Sequence, residues 1–169
     1  MAQVTQPLRD EHKELYPHVE SLATAADSLG EAPLDAVRRE VSEAHAYLTD
    51  HLIPHAVAED KALYPVVGRL MGAGQATATM SRDHVEVGRL TGELGRLKAD
   101  LDRGELSPIG TKQLRRVLYG LAALVKVHFA KEEEIYLPLL DARLSPQEAT
   151  AMFEGMEAAA GAARYRHAA

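Results

Sequence analysis

Two segments of the chain carry the same chemical motif, in which a glutamate follows a histidine by four residues. The first runs from His55 to Glu59 and the second from His128 to Glu132, and in both a proline comes six residues after the glutamate. Residues four apart on a helix share one face, about 5–6 Å from each other, so each pair could bind a metal ion. A single short motif carries little information, but two copies in matching surroundings predict a site that both halves of the chain build.

A further histidine precedes each copy of the motif at nearly the same distance. His12, in the segment DEHKEL, lies 43 residues before the first motif, and His84, in the similar segment RDHVEV, lies 44 residues before the second. We therefore interpret the chain as two repeats of one unit, over about residues 8–70 and 80–141. Each repeat contributes two histidines and one glutamate to a common site.

The composition limits which kinds of site can form. The chain has 169 residues, of which 46% are hydrophobic, and this is enough for one well-buried core. We predict one domain over residues 1–142, followed by a C-terminal helix and tail over 143–169. Because the chain has no cysteine, disulfides, thiolate zinc sites and iron–sulfur clusters are excluded. Any metal must then be bound by nitrogen and oxygen atoms.

Charge and hydropathy indicate the surroundings in which the protein works. With 19 basic and 25 acidic residues and a pI near 5.7, the chain lacks the basic surface that nucleic-acid-binding proteins use. The first residues lack the basic start and apolar core of a secretory signal. No apolar run approaches the roughly 18 residues that a membrane-spanning helix needs. We therefore expect a cytoplasmic protein without nucleic-acid or membrane partners.

Glycine and proline divide the chain into helices. Four long helices and a short fifth helix are separated by breaks at residues 30–33, 71–74, 103–110 and 143–146. The fifth helix has a strong start signal, with Ser145 as N-cap, Pro146 at the first helical position and Glu148 three residues after the cap. Its alanine-rich body is only mildly apolar, so we expect it to lie against the other helices. No segment alternates as a β-strand would, and the predicted fold class is all-α.

The apolar stripe of each long helix is interrupted by polar residues that should face the core. In the second helix the inward stripe, at three- and four-residue spacing, is Val41, Ala44, Leu48, His51, His55, Glu59, Ala62 and Val66. In the fourth helix it is Leu114, Leu118, Leu121, Val125, His128, Glu132, Ile135 and Leu139. His12 and His84 occupy the same kind of position in the first and third helices. Each long helix therefore brings one histidine of the repeats inward.

Each unpaired polar group that is buried costs several kcal/mol. Four imidazoles and two carboxylates in a helical core must therefore hydrogen-bond to one another or bind a ligand. A metal site is the simpler interpretation. The set is too large for one tetrahedral zinc ion but suits two ions, each with two imidazoles, bridged by Glu59 and Glu132. Two trivalent ions with an oxo bridge and both carboxylates would leave a charge of about +2, which a partly hydrated core tolerates.

At these residues the chain resembles the hemerythrin family, also called the HHE cation-binding domain. The match rests on the segment HKELY that begins at His12 and on both histidine–glutamate motifs, and it covers roughly residues 5–141. The resemblance implies an up-and-down four-helix bundle around an oxo- or hydroxo-bridged pair of iron ions. It makes the iron ligands His12, His55, Glu59, His84, His128 and Glu132. Ferritin-like bundles instead use a glutamate followed three residues later by a histidine, a pattern that this chain lacks.

Two departures from the oxygen-carrying hemerythrins bear on function. Those proteins have a fifth histidine where this chain has Gly88, and an aspartate five residues after the fourth-helix histidine, where this chain has Glu132 at four. One iron should then lack a ligand. Gly88 permits either close helix packing or room beside the metal for a side chain, a water molecule or a diatomic ligand. We consider Tyr16, His51 and Tyr136 as candidates for that room, although His51 is more readily explained as a hydrogen-bonded core residue.

Other features predict that the two halves differ and that some polar residues stay outside the site. Pro54 should kink the second helix just before its motif, where the second repeat has Val127. The run from Lys131 to Glu134 is interpreted as a solvated face, apart from Glu132. Three histidines outside the stripes are expected at the surface, and they are His18, His45 and His167.

Three functions fit such a site, and the first two take a small diatomic or peroxide ligand as partner. The first, which we favour, is a redox enzyme that processes hydrogen peroxide or nitric oxide. The missing fifth histidine makes the ligands richer in oxygen, which stabilises ferric iron and favours turnover. The second is reversible binding or sensing of dioxygen, as in the best-known members of the family. The third is iron handling without catalysis.

Overall fold

The computed structural model describes residues 3–168, with side chains up to residue 165. The described residues form no strand, which confirms the predicted all-α class. The α-helices are α1 Gln6–Ser28, α2 Leu34–Tyr47, α3 Ile53–Ala58, α4 Tyr64–Met71, α5 Ala78–Arg103, α6 Pro108–Lys131, α7 Leu137–Arg143 and α8 Pro146–Ala168. No helix in the described residues is long and apolar enough to cross a membrane.

Three π-helical turns make continuous long helices out of several of these elements. They are π1 Leu48–Leu52, π2 Glu59–Leu63 and π3 Glu132–Tyr136. With π1 and π2, α2 to α4 form one helix over 34–71, and with π3, α6 and α7 form one helix over 108–143. The chain therefore has the predicted four long helices followed by a fifth, α8.

The helices begin and end where the sequence predicts. Gly72 and Gly104 end the second and third long helices in the left-handed conformation, with φ of 64° and 74°, which residues with a side chain adopt only at a cost. At the start of α8 the backbone N–H of Ser145 donates to the Glu148 carboxylate over 3.0 Å, and the N–H of Glu148 donates to the serine hydroxyl over 3.3 Å. This reciprocal cap confirms the predicted start of the fifth helix.

A layer of polar side chains separates two apolar cores. Residues of the larger core on the four long helices include Leu15, Leu52, Val87 and Val125. Residues of the smaller core on the same helices include Leu8, Leu63, Met80 and Leu137. The chain runs from the smaller to the larger core in α1 and α5, and in the opposite direction in the other two long helices. The bundle is therefore up-and-down, and each helix carries its predicted histidine between the two cores.

The fifth helix covers the smaller core. Ala149, Met152, Met156 and Ala160 follow three- and four-residue spacing and are buried where α8 packs against α3 and π2. A Cβ at Gly155 would lie 3.3 Å from the Cβ of Ala62, so the two helices approach closely there. The expectation that the fifth helix lies against the bundle is confirmed.

A proline follows each π-helical turn, with one residue between them. In each turn a backbone N–H donates to the carbonyl five residues earlier. The three donors are Ile53, Tyr64 and Leu137. The next residues along the chain are Pro54, Pro65 and Pro138. In an α-helix a proline ring collides with the carbonyl four residues before it, and the wider π-helical turn makes room for the ring. The long helices therefore continue through their prolines.

The extra residue in each π-helical turn shifts the inward stripe, and this corrects the stripes predicted from strict three- and four-residue spacing. His51 is exposed, Ala62 is only half-buried, and Ile135 is 55% exposed. The residues that are buried at these levels of the bundle are Leu52, Leu63, Tyr64, Tyr136 and Leu137. A π-helical turn holds one more residue than an α-helical turn. A stripe at α-helical spacing that is correct before the turn is therefore one residue out of register after it.

Candidate metal centre

The six side chains predicted as metal ligands converge in the polar layer. Both glutamates are fully buried, and the four histidine side chains are at most 8% exposed. The first repeat supplies His12 from α1, His55 from α3 and Glu59 from π2, and the second supplies His84 from α5, His128 from α6 and Glu132 from π3. The two repeats thus contribute equally.

Glu59 lies between two pairs of histidines. Its Oε1 atom is 3.0 Å from Nε2 of His55 and 3.8 Å from Nε2 of His12. Its Oε2 atom is 3.2 Å from Nε2 of His84 and 3.7 Å from Nε2 of His128. Each oxygen of this carboxylate therefore faces one histidine pair.

Glu132 spans the same two pairs from the other repeat. Its Oε2 atom is 3.3 Å from Nε2 of His12, and its Oε1 atom is 3.6 Å from Nε2 of His128. Two groups of side chains bring their ligand atoms within 4.8 Å of one another, as a metal ion requires, and Glu59 belongs to both. The first group is His12, His55, Glu59 and Glu132, and the second is Glu59, His84 and His128.

Every imidazole of the layer has a carboxylate at its other nitrogen. The hydrogen-bonded pairs are His12 Nδ1 with Glu133 at 2.8 Å, His84 Nδ1 with Asp60 at 3.0 Å and His128 Nδ1 with Asp83 at 3.1 Å. The fourth carboxylate, Glu11, lies 3.0 Å from Nδ1 of His55 without hydrogen-bond alignment. A carboxylate at Nδ1 favours the proton there and leaves the Nε2 lone pair directed into the layer, as in histidines that bind metals.

These four carboxylates follow the repeat, a signal that the histidine–glutamate motif alone does not include. Glu11 and Asp83 come directly before the first histidine of each repeat and contact the second histidine of the same repeat. Asp60 and Glu133 come directly after the glutamate of each repeat and contact the first histidine of the other repeat. An acidic residue adjoins four of the six predicted ligands in the sequence, and these four are His12, Glu59, His84 and Glu132.

Three of the four carboxylates are also held on their outer side. The contacts are Arg9 with Glu133, Ser81 with Asp60 and Lys131 with Asp83. The interpretation of the run after residue 130 as a solvated face is therefore wrong for Lys131 and Glu133, although Glu134 is exposed. Both residues act on the layer through its histidines.

Tyr64 is a further polar residue of the layer that the sequence analysis did not select. Its hydroxyl donates to Oε1 of Glu132 over 2.7 Å and lies 3.2 Å from Nε2 of His128 and 3.4 Å from Nε2 of His84. It follows Glu59 by five residues, which is one π-helical turn. Four-residue spacing from Glu59 therefore does not reach Tyr64. The signal in the sequence that could have identified it is its position directly before Pro65.

The candidates for the room beside the metal do not reach the layer. Tyr16 is 44% exposed and His51 is exposed. The hydroxyl of Tyr136 donates instead to the carbonyl of Ala76, over 3.4 Å. Gly88 is exposed, and a Cβ there would meet no atom within 4 Å, so it neither allows close helix packing nor lines the interior of the site. These predictions are therefore wrong. For His51 and Tyr136 the reason is that they lie in π1 and π3, which turn their side chains away from the positions expected at α-helical spacing.

The histidines expected at the surface differ from one another. His18 is exposed and stacks on Tyr47, whereas His45 is half-buried and lies close to Gly95. The side chain of His167 is outside the described part of the chain. None of the described ones belongs to the groups that could hold a metal.

A small chamber opens beside Glu59. Its volume is about 10 Å³, close to the space of one water molecule. Its apolar walls are Leu52, Ala56, Val87, Val125 and Phe129, and its polar walls are His55, Glu59, His84 and His128. Phe129 also stacks on His12 with ring centres 4.4 Å apart. The chamber can therefore hold only a very small molecule, in contact with the ligand atoms.

Several side-chain atoms of the layer are buried and have no hydrogen-bond partner among the described residues. They are both oxygens of Glu59, Oε2 of Glu132, and Nε2 of His12 and His55. A buried carboxylate oxygen without a donor is costly, and a cation is the partner that would satisfy several of these atoms at once. The donor set therefore fits a metal centre.

The electrostatics of the layer also favour cations. Burial by itself lowers the pKa of His12, but the nearby carboxylates of Glu132 and Glu59 outweigh it and raise that pKa to about 9. The pKa values of His55 and His84 are raised in the same way, chiefly by Glu59. The nearby histidines, His55 first, outweigh burial and hold the pKa of Glu59 well below its usual range. The layer thus takes up positive charge, as protons or as metal ions.

Comparison with known proteins agrees with this geometry. Residues 3–140 match the family model described as the hemerythrin HHE cation-binding domain. The chain belongs to this family. Searches among curated proteins and among solved structures return no significant match. The hemerythrin HHE domain spans the four long helices and all six convergent residues, whereas α8 lies outside the match. The buried histidines and glutamates of this hemerythrin-like protein form the groups of side chains that could hold a cation.

Proposed function

We propose that this hemerythrin-like protein holds a pair of iron ions in the polar layer and processes hydrogen peroxide or nitric oxide there. One observation carries the proposal: each oxygen of the fully buried Glu59 faces a different histidine pair. A carboxylate in this position is suited to bridge two ions. The same relationship in Glu132 supports a second bridge.

The residues of the layer fit two ions of this kind. The ligands would be His12 and His55 for one ion, His84 and His128 for the other, and Glu59 and Glu132 shared between them. Imidazole and carboxylate donors suit iron, and the carboxylates at Nδ1 would orient each imidazole and strengthen it as a ligand. When bound, the ions would supply Lewis-acid and one-electron redox chemistry to a small molecule.

The chamber supports a substrate with two non-hydrogen atoms. Its volume of about 10 Å³, close to the space of one water molecule, excludes larger molecules. Val87, Val125 and Phe129 therefore select by size, while His55, His84 and His128 form the polar side that the substrate meets. Hydrogen peroxide and nitric oxide are small enough for such a space.

Tyr64 favours processing over reversible carriage. Burial and the neighbouring Glu59 and Glu132 raise the pKa of its hydroxyl far above the usual range, so the phenol keeps its proton. That proton lies at the layer, on the 2.7 Å hydrogen bond to Glu132. Reduction of peroxide develops negative charge on oxygen atoms, and a positioned O–H group that keeps its proton can donate a hydrogen bond to such an oxygen.

Two alternatives follow from the same site. Reversible binding or sensing of dioxygen is supported by the small volume of the chamber, which suits a diatomic molecule as well as peroxide. Iron handling without catalysis would need only the ligands. Both alternatives keep the diiron centre and differ in what happens to the small molecule.

The test combines metal content with the visible spectrum of the isolated protein, before and after anaerobic reduction and exposure to air, peroxide and nitric oxide. We expect about two irons per chain, near-ultraviolet absorption of a coupled ferric pair, and consumption of peroxide or nitric oxide. The exposed Glu43→Ala should leave all three unchanged, and Glu59→Ala should abolish them. Reversible dioxygen uptake without consumption would establish the second function, and colourless protein with one ion or only zinc would overturn the redox proposal.

A further inference from the structure

A second cavity, much larger than the chamber, opens between the bundle and the fifth helix. It has a volume of about 560 Å³, within the range of roughly 300–1,000 Å³ that small-molecule sites occupy. The bundle side of the cleft includes Glu11, His55 and Ala58, and the α8 side includes Phe153, Met156 and Ala160. Because α8 lies outside the family match over residues 3–140, the cleft belongs to this chain rather than to the HHE domain as such.

The cleft lies at the one carboxylate of the layer that is not held on its outer side. Asp83, the counterpart of Glu11 in the second repeat, pairs with Lys131. The position equivalent to that lysine in the first repeat is Ala58, which lines the cleft. Among the described side chains no lysine or arginine pairs with Glu11, and its carboxylate is 45% exposed. Glu11 is therefore free to accept a hydrogen bond from a molecule in the cleft while it contacts His55.

His55 connects the cleft to the chamber. It is the residue that lines both cavities, with Nε2 3.0 Å from Glu59 on the chamber side and Nδ1 3.0 Å from Glu11 on the cleft side. A molecule in the cleft would therefore be separated from the chamber by the imidazole ring of His55. This arrangement separates a very small substrate from a larger partner molecule.

The lining of the cleft indicates the class of that molecule. Three carboxylates, from Glu11, Glu154 and Glu157, outnumber the one cation, Arg164, so an anion is repelled and hydrogen-bond donors are accepted. Phe153 and the buried Met156 offer a ring and a sulfur atom, both of which pack well against an aromatic ring. An uncharged single-ring molecule with O–H donors combines both properties.

We propose that the cleft binds a neutral hydroquinone-type reductant, which donates an O–H hydrogen bond to Glu11 and supplies electrons to the centre. This inference rests on the proposed function. The overall reaction balances: the hydroquinone loses two electrons and two protons and becomes a quinone, while the O–O bond of hydrogen peroxide breaks and its oxygens leave as two waters. The cleft and the chamber then hold the two reactants on opposite sides of His55.

The kinetic test fills the cleft and, as a matched control, the groove on the other side of the bundle. Ala160→Phe puts a ring into the cleft, and Ala130→Phe puts the same ring into the groove lined by Tyr16, Pro17 and Phe129. With the iron-loaded full chain we expect Ala160→Phe to raise KM for hydroquinone at least about tenfold, with peroxide disproportionation in the absence of hydroquinone unchanged. Ala130→Phe should change neither. Equal effects of the two variants would overturn the assignment of the cleft.

The charge of the lining gives a second test that leaves the packing of α8 alone. Wild-type protein should use hydroquinone in preference to ascorbate, which is an anion. The exposed pair Glu154→Lys and Glu157→Lys should lower KM for ascorbate by about tenfold. If the wild-type protein oxidised both donors with the same KM, the charge argument would be refuted.

A binding measurement separates failure of this inference from failure of the proposed function. Resorcinol, which has the same two hydroxyl groups but does not form a quinone, should bind the iron-loaded protein in calorimetry and should lose affinity in Ala160→Phe but not in Ala130→Phe. Binding with no peroxide consumption would refute the proposed function and retain the cleft. Peroxide consumption with no resorcinol binding, or with binding that Ala160→Phe does not alter, would refute the cleft.

Discussion

The hydroxyl of Tyr64 donates to Oε1 of Glu132 over 2.7 Å, and this bond joins the two repeats across the polar layer. Tyr64 directly precedes Pro65, and the residue in the same position before Pro138 is Leu137. The bond therefore has no counterpart on the other side of the layer. The layer is built from two equivalent sets of histidines and glutamates, but among the described side chains a phenol contacts only the side of His84 and His128.

The first prediction concerns this phenol. Among the described residues, Tyr64 is the one donor to Oε1 of the fully buried Glu132. Because Tyr64→Phe removes it, we expect the free energy of unfolding of the metal-free protein to fall by about 1–3 kcal/mol. In the loaded protein the visible spectrum and the rate of peroxide consumption should change. Tyr136→Phe is the matched control, because its hydroxyl makes a long bond of 3.4 Å to a carbonyl outside the layer. Equal effects of the two variants would remove the special position of Tyr64.

The second prediction compares the two bridging carboxylates. Glu59 belongs to both groups that could hold a metal, whereas Glu132 belongs to one. Glu59→Gln should therefore lower iron content from about two to below one per chain, and Glu132→Gln should leave about one. Metal analysis after dialysis against a weak chelator measures both. Retention of two irons by both variants would show that neither glutamate is a necessary bridge.

The sequence predicts the six convergent residues because each of them lies on a regular part of its helix or at the first residue of a π-helical turn. His12, His55, His84 and His128 keep the period of the helix in which they lie, and Glu59 and Glu132 begin π2 and π3. Three- and four-residue spacing therefore places all six correctly. The fold follows from the same regularity, since the breaks are marked by glycine and proline.

What the sequence analysis missed has two physical causes. Tyr64 lies after a π-helical turn, where the inward position is shifted by one residue. Glu133 is half-buried: its side chain is 32% exposed, yet it holds the imidazole of His12. From the sequence alone, a glutamate in an acidic run cannot be distinguished from a solvent-exposed one, because its partner, here His12, comes from another helix.

The third prediction uses two neighbours in that run. Glu133→Gln weakens the orientation of His12 and should lower iron affinity by roughly 10–100-fold, the usual cost of losing a partner of a metal-bound histidine. Glu134→Gln, at the adjacent exposed position, should have no effect. Competition with a chelator of known affinity gives both values. If the two variants retained iron equally, the carboxylates at Nδ1 would have no role in binding.

The fourth prediction is a dependence of stability on pH that changes direction when the metal is bound. In the metal-free protein the pKa of His12 rises from 6.5 to about 9, and those of His55 and His84 rise as well. The stability that each protonated imidazole contributes is fully present below 6.5 and is lost as the pH rises through the folded pKa. For His12 this loss is on the order of 3 kcal/mol between pH 6.5 and 9.

In the loaded protein the imidazoles must be unprotonated, so protons compete with the ions and the loaded form gains stability as the pH rises. The difference in Tm between loaded and metal-free protein should therefore widen from pH 6 to 9, which calorimetry measures directly. His12→Gln should reduce the pH dependence of the metal-free protein, whereas a change at the exposed His18, His18→Gln, should leave it as it is. Parallel pH profiles for the two forms would mean that protons and metal ions do not share these nitrogen atoms.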